Sequence, residues 1–310
     1  MTGFIRKIGI TLALLCSLLV PRADAGQLVS PADREWAKNA VAAEKSLSIP
    51  PGKNTVAVLY FRNGTGDPSL DPMRKGIPLL LVTDLSGVPA LSVIERTRLQ
   101  ALTEETNLGA TGLVSAGTAP RAGKLLGARW LVGGEIGREK PTRIDLTSNV
   151  ADVSAGTTSG KTSAGGEIER LFEVEKDLLF GVLKLLDVKV SPEEEQRLRK
   201  PCSKSTTALA ALFLGVDAGD RGELDKAEGY YRKALQVDPG VCIASDALRE
   251  IEEARASGAG KRSRQLLKTL RDGTTLTDSL TTKDPLLRGG KPSDIPGTRT
   301  SPANINLTFP

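Results

Sequence analysis

Residues Thr55-Val56-Ala57-Val58-Leu59-Tyr60-Phe61 carry no charge and few polar atoms. An apolar run of this length, broken at once by turn residues, reads as a central strand buried on both faces. The break is Asn63-Gly64-Thr65-Gly66-Asp67-Pro68, in which Asn and Gly accept positive φ and Asp-Pro starts the next element. Residues 72–87 follow, with Ile77, Leu80, Leu81, Val82 and Leu85 at helical spacing, and with Pro78 in the first two turns, where a kink is allowed. Leu91 to Ile94 is a short strand, 96–105 a second helix with Leu99 and Leu102 inward, and 109–117 a loop. Thr118 caps a helix entered through Pro120 and ended by Gly127. Arg129 to Ile136 is the second long strand.

Residues 143–150 and 151–163, rich in Thr and Ser, read as two more strands of a meander. Residues 167–187 are a strong amphipathic helix, with Ile168, Leu171, Phe172, Leu178, Leu179, Val182, Leu183 and Leu186 on one side. This order of elements over 55–190 resembles the small α/β domain at the N-terminus of the periplasmic TolB protein, shared with the curli-secretion-channel (CsgG/HfaB) family. The resemblance implies a small mixed β-sheet flanked by helices, an α+β or α/β fold. It also implies a partner-binding and assembly module of the bacterial cell envelope, with no known active site. Asn63, Gly64, Thr65, Gly66 and Asp67 resemble the signature that follows the first strand in these families. Plain turn chemistry is one explanation of that run; a backbone-lined edge that meets a partner is the other.

Ser191-Pro192-Glu193-Glu194-Glu195 starts a short acidic helix. The pattern then changes. Leu214, Gly215, Ala227, Tyr231, Ala234 and Pro239 match the signature positions of a repeat over 208–241, which resembles one tetratricopeptide repeat. Small residues let two antiparallel helices approach, Tyr231 fills the gap, and Pro239 ends the second helix. The match departs at Ala211 and Ala218, where the family prefers Trp and Tyr. A third helix covers 242–256. The chain thus reads as the α/β domain over 55–190 followed by an all-α tetratricopeptide-repeat region over 191–256. One repeat cannot bury its apolar face alone, so it must pack on helix 167–187, on the third helix or on another subunit. Residues 257–310 read as a mostly disordered tail rich in Gly, Ser, Thr, Lys and Pro, although Lys261 to Arg271 has the look of a solvated helix face. Ile305, Leu307 and Phe309 alternate with polar residues, and two readings stay open at 304–309: a frayed tail, or an edge strand that docks on a sheet or a partner.

At the other end, Arg6 and Lys7 precede an uncharged apolar run, Ile8 to Val20, and then Ala23-Asp24-Ala25. Residues 1–25 read as a secretory signal peptide cleaved after Ala25, with 26–54 a linker that contains a short polar helix. The expected location is the periplasm, with peripheral outer-membrane association as an extension. Lipidation at Cys16 is disfavoured because Leu15 stands where such signals want a small residue. The net charge is +5, a mild balance with no basic stripe for nucleic acid. Cys202 and Cys242 remain after cleavage; an oxidising compartment lets them pair, and two buried free thiols are the alternative.

Catalysis is where the sequence gives least. The chain has no histidine, which excludes Ser–His–Asp hydrolysis, Cys–His proteolysis and histidine-ligated zinc. Gly156 to Thr162 has one spacer too few for a phosphate loop and lies in the meander; Gly117 to Leu125 has one too many. The carboxylates at Glu193–Glu195 and Glu250–Glu253 lie in consecutive runs, as on solvated helix faces. No catalytic set, cofactor or metal site is expected. The expected partners are envelope proteins or copies of this chain, with neither nucleic acid nor a membrane span. The resulting reading is an envelope scaffold or adaptor. A secretion-channel or ring subunit of the curli type, or an activator of cell-wall synthesis, are the alternatives the resemblance implies. The segment 137–166 lacks the apolar alternation of a lipid-facing strand.

Overall fold

A computed structural model describes residues 27–48, 54–106 and 119–272. The signal sequence, the loop at 109–117, the cap at Thr118 and the strand at 304–309 lie outside these residues. The elements are α1 (Pro31–Ala42), β1 (Thr55–Val58), β2 (Arg62–Asn63), a 3-10 turn (Pro68–Leu70), α2 (Met73–Ser86), β3 (Ser92–Val93), α3 (Arg96–Thr106) and α4 (Ala119–Leu126). They continue with β4 (Trp130–Gly137), β5 (Arg143–Asp152), β6 (Thr157–Glu167), a second 3-10 turn (Ile168–Arg170), α5 (Leu171–Leu185), α6 (Pro192–Leu198), α7 (Thr206–Asp220), α8 (Leu224–Val237) and α9 (Ala244–Asp272).

The fold is a mixed six-stranded sheet flanked by helices, followed by a helical region. The strand order is β3-β1-β4-β5-β6, with β2 also on β4. The pairs β1–β3, β1–β4 and β2–β4 are parallel, while β4–β5 and β5–β6 are antiparallel. The two parallel crossovers move across the sheet in opposite directions. A common right hand then requires them to pass on opposite faces, and they do. Val56, Val58, Val132, Ile136, Ile144, Leu146 and Val150 face a core shared with α2 and α5. Ala57, Leu59, Leu131, Ala151 and Val153 face a smaller core with α1, α3 and α4.

The run 55–61 is not one strand. β1 stops at Val58, and the Phe61 amide donates to the Arg74 carbonyl of α2 (2.9 Å) instead of to β4. The backbone bends toward α2 while Leu59, Tyr60 and Phe61 all stay buried. The hairpin also differs from expectation. The turn falls at 153–156, where Asp152 Oδ1 accepts from the amides of Ser154 and Ala155 and Gly156 has φ 64°. The second strand therefore runs 157–167 rather than 151–163, and a 3-10 turn precedes the helix at 171.

Three domain expectations need correction. The segment 26–54 is more than a linker: α1, capped by Ser30, buries Ala37 and Ala40. No packing boundary exists at residue 190, because one core runs from β1 through α2 and α5 into α7, α8 and α9. The helix after Cys242 extends to Asp272 rather than 256.

The helical region meets the sheet domain where α7 crosses α2. There Gly76 lies directly under the Phe213 ring, and any Cβ at 76 would overlap it. Gly76→Val should therefore push α7 away from α2, an overpacking penalty of about 1–3 kcal/mol. Both tryptophans, Trp36 and Trp130, lie in the sheet part. With one continuous core, their fluorescence and the far-ultraviolet circular dichroism should give coincident urea midpoints in the wild type. In Gly76→Val both should fall together. Separated transitions would mean that the two parts fold independently.

Candidate functional site

The turn after β1 is built by its own side chains. Asn63 Oδ1 accepts from the Thr65 amide (3.0 Å) and hydroxyl (2.6 Å), while Asn63 Nδ2 donates to the Asp67 carbonyl and to Asp71 Oδ1, both 2.8 Å. Asp67 accepts from the Ser69 amide (2.9 Å) and from Arg138 (2.9 Å), and these bonds hold its carboxyl below the usual range. Gly66 takes φ 74°, and the Gly64 amide donates to Ile136 of β4 (2.8 Å). The side-chain polar atoms of Asn63, Thr65 and Asp67 are thus spent within the turn and on its neighbours Asp71 and Arg138. What the turn offers outward is the next segment.

That segment lines a groove of about 240 Å³ bounded by Pro68, Ser69, Pro72 and Met73 on one wall, Ile168 and Leu171 at the start of α5, and Thr206, Ala210, Phe213 and Leu214 on α7. The groove exists only because α7 lies against the sheet domain. Of the repeat residues, Leu214 is on this wall, half-buried. The others form the helix pair itself. Gly215 faces the Tyr231 ring, where a Cβ would approach to 2.6 Å, and Ala227, Tyr231 and Ala234 are fully buried. α8 ends at Val237, before Asp238 and an exposed Pro239. Cys202 and Cys242 are disulfide-bonded with Cα atoms 5.0 Å apart, tying the segment before α7 to the segment before α9.

Behind the groove is a buried ionic junction that the sequence did not announce. Arg96 and Asp220 have side chains 2% and 1% exposed and meet through Nη1 at 2.9 and 3.0 Å. Arg96 Nη2 also donates to the Gln27 carbonyl. Burial works to lower the Arg96 pKa, but Asp220 above all holds it above the usual range. Lys75 reaches Asp220 (3.0 Å) and Asp217 (3.1 Å), and its Nζ lies over the Tyr60 ring. Tyr60 donates to Gln100 (2.7 Å), and its hydroxyl is pushed up by burial and then by Asp220. Glu250 of α9 accepts from the amides of Gln27 (2.7 Å) and Leu28 (2.9 Å). A polar crevice of about 290 Å³ opens beside this junction at the carboxyl end of β1, lined by Tyr60, Asp71, Arg74, Lys75, Gln100, Thr103 and Asp217. Arg96 and Asp220 are 124 residues apart, so no local motif could pair them.

A second buried cluster joins α2 to α5. Lys176 Nζ lies 2.5 Å from Asp84 and 3.4 Å from Glu175. Glu175 is pushed up to about 8, by burial first and then by the neighbouring Asp84 charge. The Gly156–Thr162 run lies across the hairpin turn and β6, not between a strand and a helix, so it forms no phosphate loop.

These features define a protein with a mixed α/β sheet domain fused through one core to a helical hairpin, with an apolar groove at the seam. Residues 37–139, from the middle of α1 to just past β4, match the family model of the curli production assembly/transport component CsgG. A protein of Rhizobium meliloti (strain 1021) described as "Putative adenylate cyclase 3" is 28% identical over 225 residues, 71% of this chain and 36% of that protein. The chain therefore spans about a third of that relative's length. Among solved structures, the LpoB C-terminal domain from Escherichia coli is 13% identical with TM-score 0.30, covering 43% of this chain and 98% of that one. The LpoB C-terminal domain from Salmonella enterica is 11% identical with TM-score 0.31, covering 46% and 98%.

Arg96→Met should cost about 3 kcal/mol, the low end of the range for breaking a buried pair, because Lys75 still meets Asp220 (3.0 Å). The double variant Arg96→Met/Asp220→Leu should lose less than Arg96→Met alone. Urea unfolding of the variants checks this, and a double variant at least as unstable as the single would refute the pairing. Glu175 has a native pKa above its unfolded value of 4.5. The native state therefore binds more protons between about 4.5 and 8. The stability it contributes is full below 4.5 and declines as pH rises toward 8. Glu175→Gln should flatten that decline, gaining on the wild type as pH rises through this window. Parallel pH profiles for the two proteins would contradict the assignment.

Proposed function

We propose that this chain is a non-catalytic scaffold or adaptor of the cell envelope, and that it recognises another protein through the groove between the 68–73 segment and α7. The groove itself is the observation that carries the reading. No carboxylate, amine or guanidinium lines it. At about 240 Å³ it is smaller than the roughly 300–1,000 Å³ of small-molecule sites. It is the right size for one or two apolar anchor side chains of a protein partner. The match of residues 37–139 to CsgG supports an envelope role, and the signal-peptide reading of residues 1–25 supports export to the periplasm. The tetratricopeptide reading of 208–241 agrees with a buried Ala227/Tyr231/Ala234 seam between α7 and α8. The catalysis named for the Rhizobium relative belongs to a protein nearly three times the matched length, and purified residues 26–310 should form no cyclic AMP.

The channel alternative fares worse. In the β5–β6 hairpin, Ile144, Leu146 and Val150 point into the core with α5. The other face carries Arg143, Asp145, Thr147, Asn149, Lys161, Ser163 and Glu167, which is no lipid-facing row. Among the described residues, no helix is long and apolar enough to cross a membrane.

Ser69 is exposed at the groove mouth. Ser69→Trp should plug the groove while leaving stability within about 0.5 kcal/mol of the wild type, and it should remove the chain from the envelope complex that the wild type forms. A complex retained by this variant would overturn the groove as the recognition site. Light scattering of residues 26–310 should give a small particle whose mass is indifferent to detergent. A large ring that needs detergent would restore the channel reading.

A further inference from the structure

β6 is the longest strand of the sheet, with eleven residues, and among the described residues it pairs with one neighbour, β5. The opposite edge, β3, is two residues long. Natural sheets usually blunt a long edge with proline, charge or a bulge. β6 has no proline, charge only at Lys161 and Glu167, and a bulge only near its start, where Val150 pairs with Gly160 but Ala151 pairs with Thr158. From Lys161 to Glu167 the edge is regular and open.

The two faces of this edge differ. Gly160, Thr162, Ala164 and Gly166 face α5, which comes close because these residues are small: a Cβ on Gly160 would lie 2.8 Å from Leu185, and one on Gly166 2.9 Å from Val174. Lys161, Ser163, Gly165 and Glu167 are exposed on the other face, which no helix covers at this end of the sheet. A strand added here would set one row of side chains against α5 and the other beside a polar ladder. It must therefore alternate apolar with small polar residues.

Because α5 packs on both β5 and β6, a second copy paired edge to edge would set the two α5 helices about 9–10 Å apart, a spacing that packed helices accept; a dimer is therefore an outcome that the test must distinguish. What favours a lone strand is a segment of this chain. Ile305-Asn306-Leu307-Thr308-Phe309 has the required alternation. The 31 residues from 273 to 303 that join it to α9 span up to about 100 Å when extended. A body of this size has a radius of gyration near 18 Å, so every edge is within reach, and tethering supplies a local concentration of about a millimolar.

We propose that residues 304–309 of the same chain pair with β6 as a seventh strand. Ile305, Leu307 and Phe309 pack under α5 beside Val174 and Leu185, while Asn306 and Thr308 extend the polar face next to Lys161 and Ser163. This capping strand is independent of the groove.

The test is peptide-resolved hydrogen exchange on the full mature chain. Leu307→Asp should lower the urea midpoint slightly, as the loss of a strand that binds only the folded state requires, and amides within Lys161–Glu167 should exchange about tenfold faster than in the wild type. A synthetic peptide of residues 301–310, at millimolar concentration, should restore their protection. Thr308→Lys, on the open face, should keep it. Equal exchange in wild type and Leu307→Asp would overturn the site. Equal loss in Thr308→Lys would overturn the assigned facing. Protection confined to a dimer that Leu307→Asp dissociates would overturn pairing within one chain.

Discussion

A guanidinium that is 2% exposed cannot be tolerated unless its charge is met, and the structure meets the one on Arg96 with groups from opposite ends of the chain. Asp220 comes from the end of α7, the Gln27 carbonyl from the N-terminal segment, and Tyr60 from the bend after β1. Glu250 on α9 then fixes the same N-terminal segment from the other side. No member of this set can be satisfied until the sheet domain, the helix pair and residues 27–30 are together. Desolvation makes the half-assembled states costly, so the junction specifies one arrangement even where its net contribution to stability is modest. The groove depends on that arrangement, because four of its lining residues are on α7 and the other six on the sheet domain.

Close approach is the second condition, and missing side chains provide it. Gly76 admits Phe213, Gly134 admits Phe61, and Gly215 admits Tyr231. Each glycine lies where a large ring crosses an element, so the few aromatics of this chain act as bolts at the crossings. A sparse aromatic content is thereby compatible with one continuous core. The Cys202–Cys242 disulfide closes the helix pair at the end away from the Gly222 turn, which restrains the unfolded chain.

The sheet domain was legible in the sequence because its signals are local. The buried β1 run, the amphipathic α2 and α5, and the turn at Asn63–Pro68 each declare themselves within a dozen residues. Gly215, Ala227, Tyr231 and Ala234, singled out by local spacing, lie between α7 and α8. Errors arose where local and distant demands compete. Tyr60 and Phe61 have strand composition, yet the Phe61 amide goes to Arg74. The hairpin turn was set by one carboxylate, Asp152, inside a stretch rich in Thr and Ser. The junction and the groove were invisible because they are made of pairs such as Arg96–Asp220 and Met73–Phe213, whose members each look ordinary alone. A polar helix at 31–42 was visible, but its burial against α3 and the tie of Gln27 to Glu250 were not, so it passed for a linker.

The molecule is asymmetric in how it treats its two exposed margins. At the α7 seam, the side chains of Asn63, Thr65 and Asp67 bond within their turn or to Asp71 and Arg138, and the adjoining groove is lined mainly by apolar side chains. At β6 the reverse holds: the side chains are small and polar, and what faces solvent is backbone. An apolar groove selects a partner by side-chain volume, with little backbone involvement. An open strand selects by backbone pairing and alternation, with little demand on volume. Two surfaces with such different requirements will not compete for the same segment. Ile305, Leu307 and Phe309 are spaced for a strand, at two-residue intervals, and the groove would take at most one or two of them. The alternation that fits the β6 edge is therefore poorly used in the groove, which leaves the groove open to a protein from outside the chain.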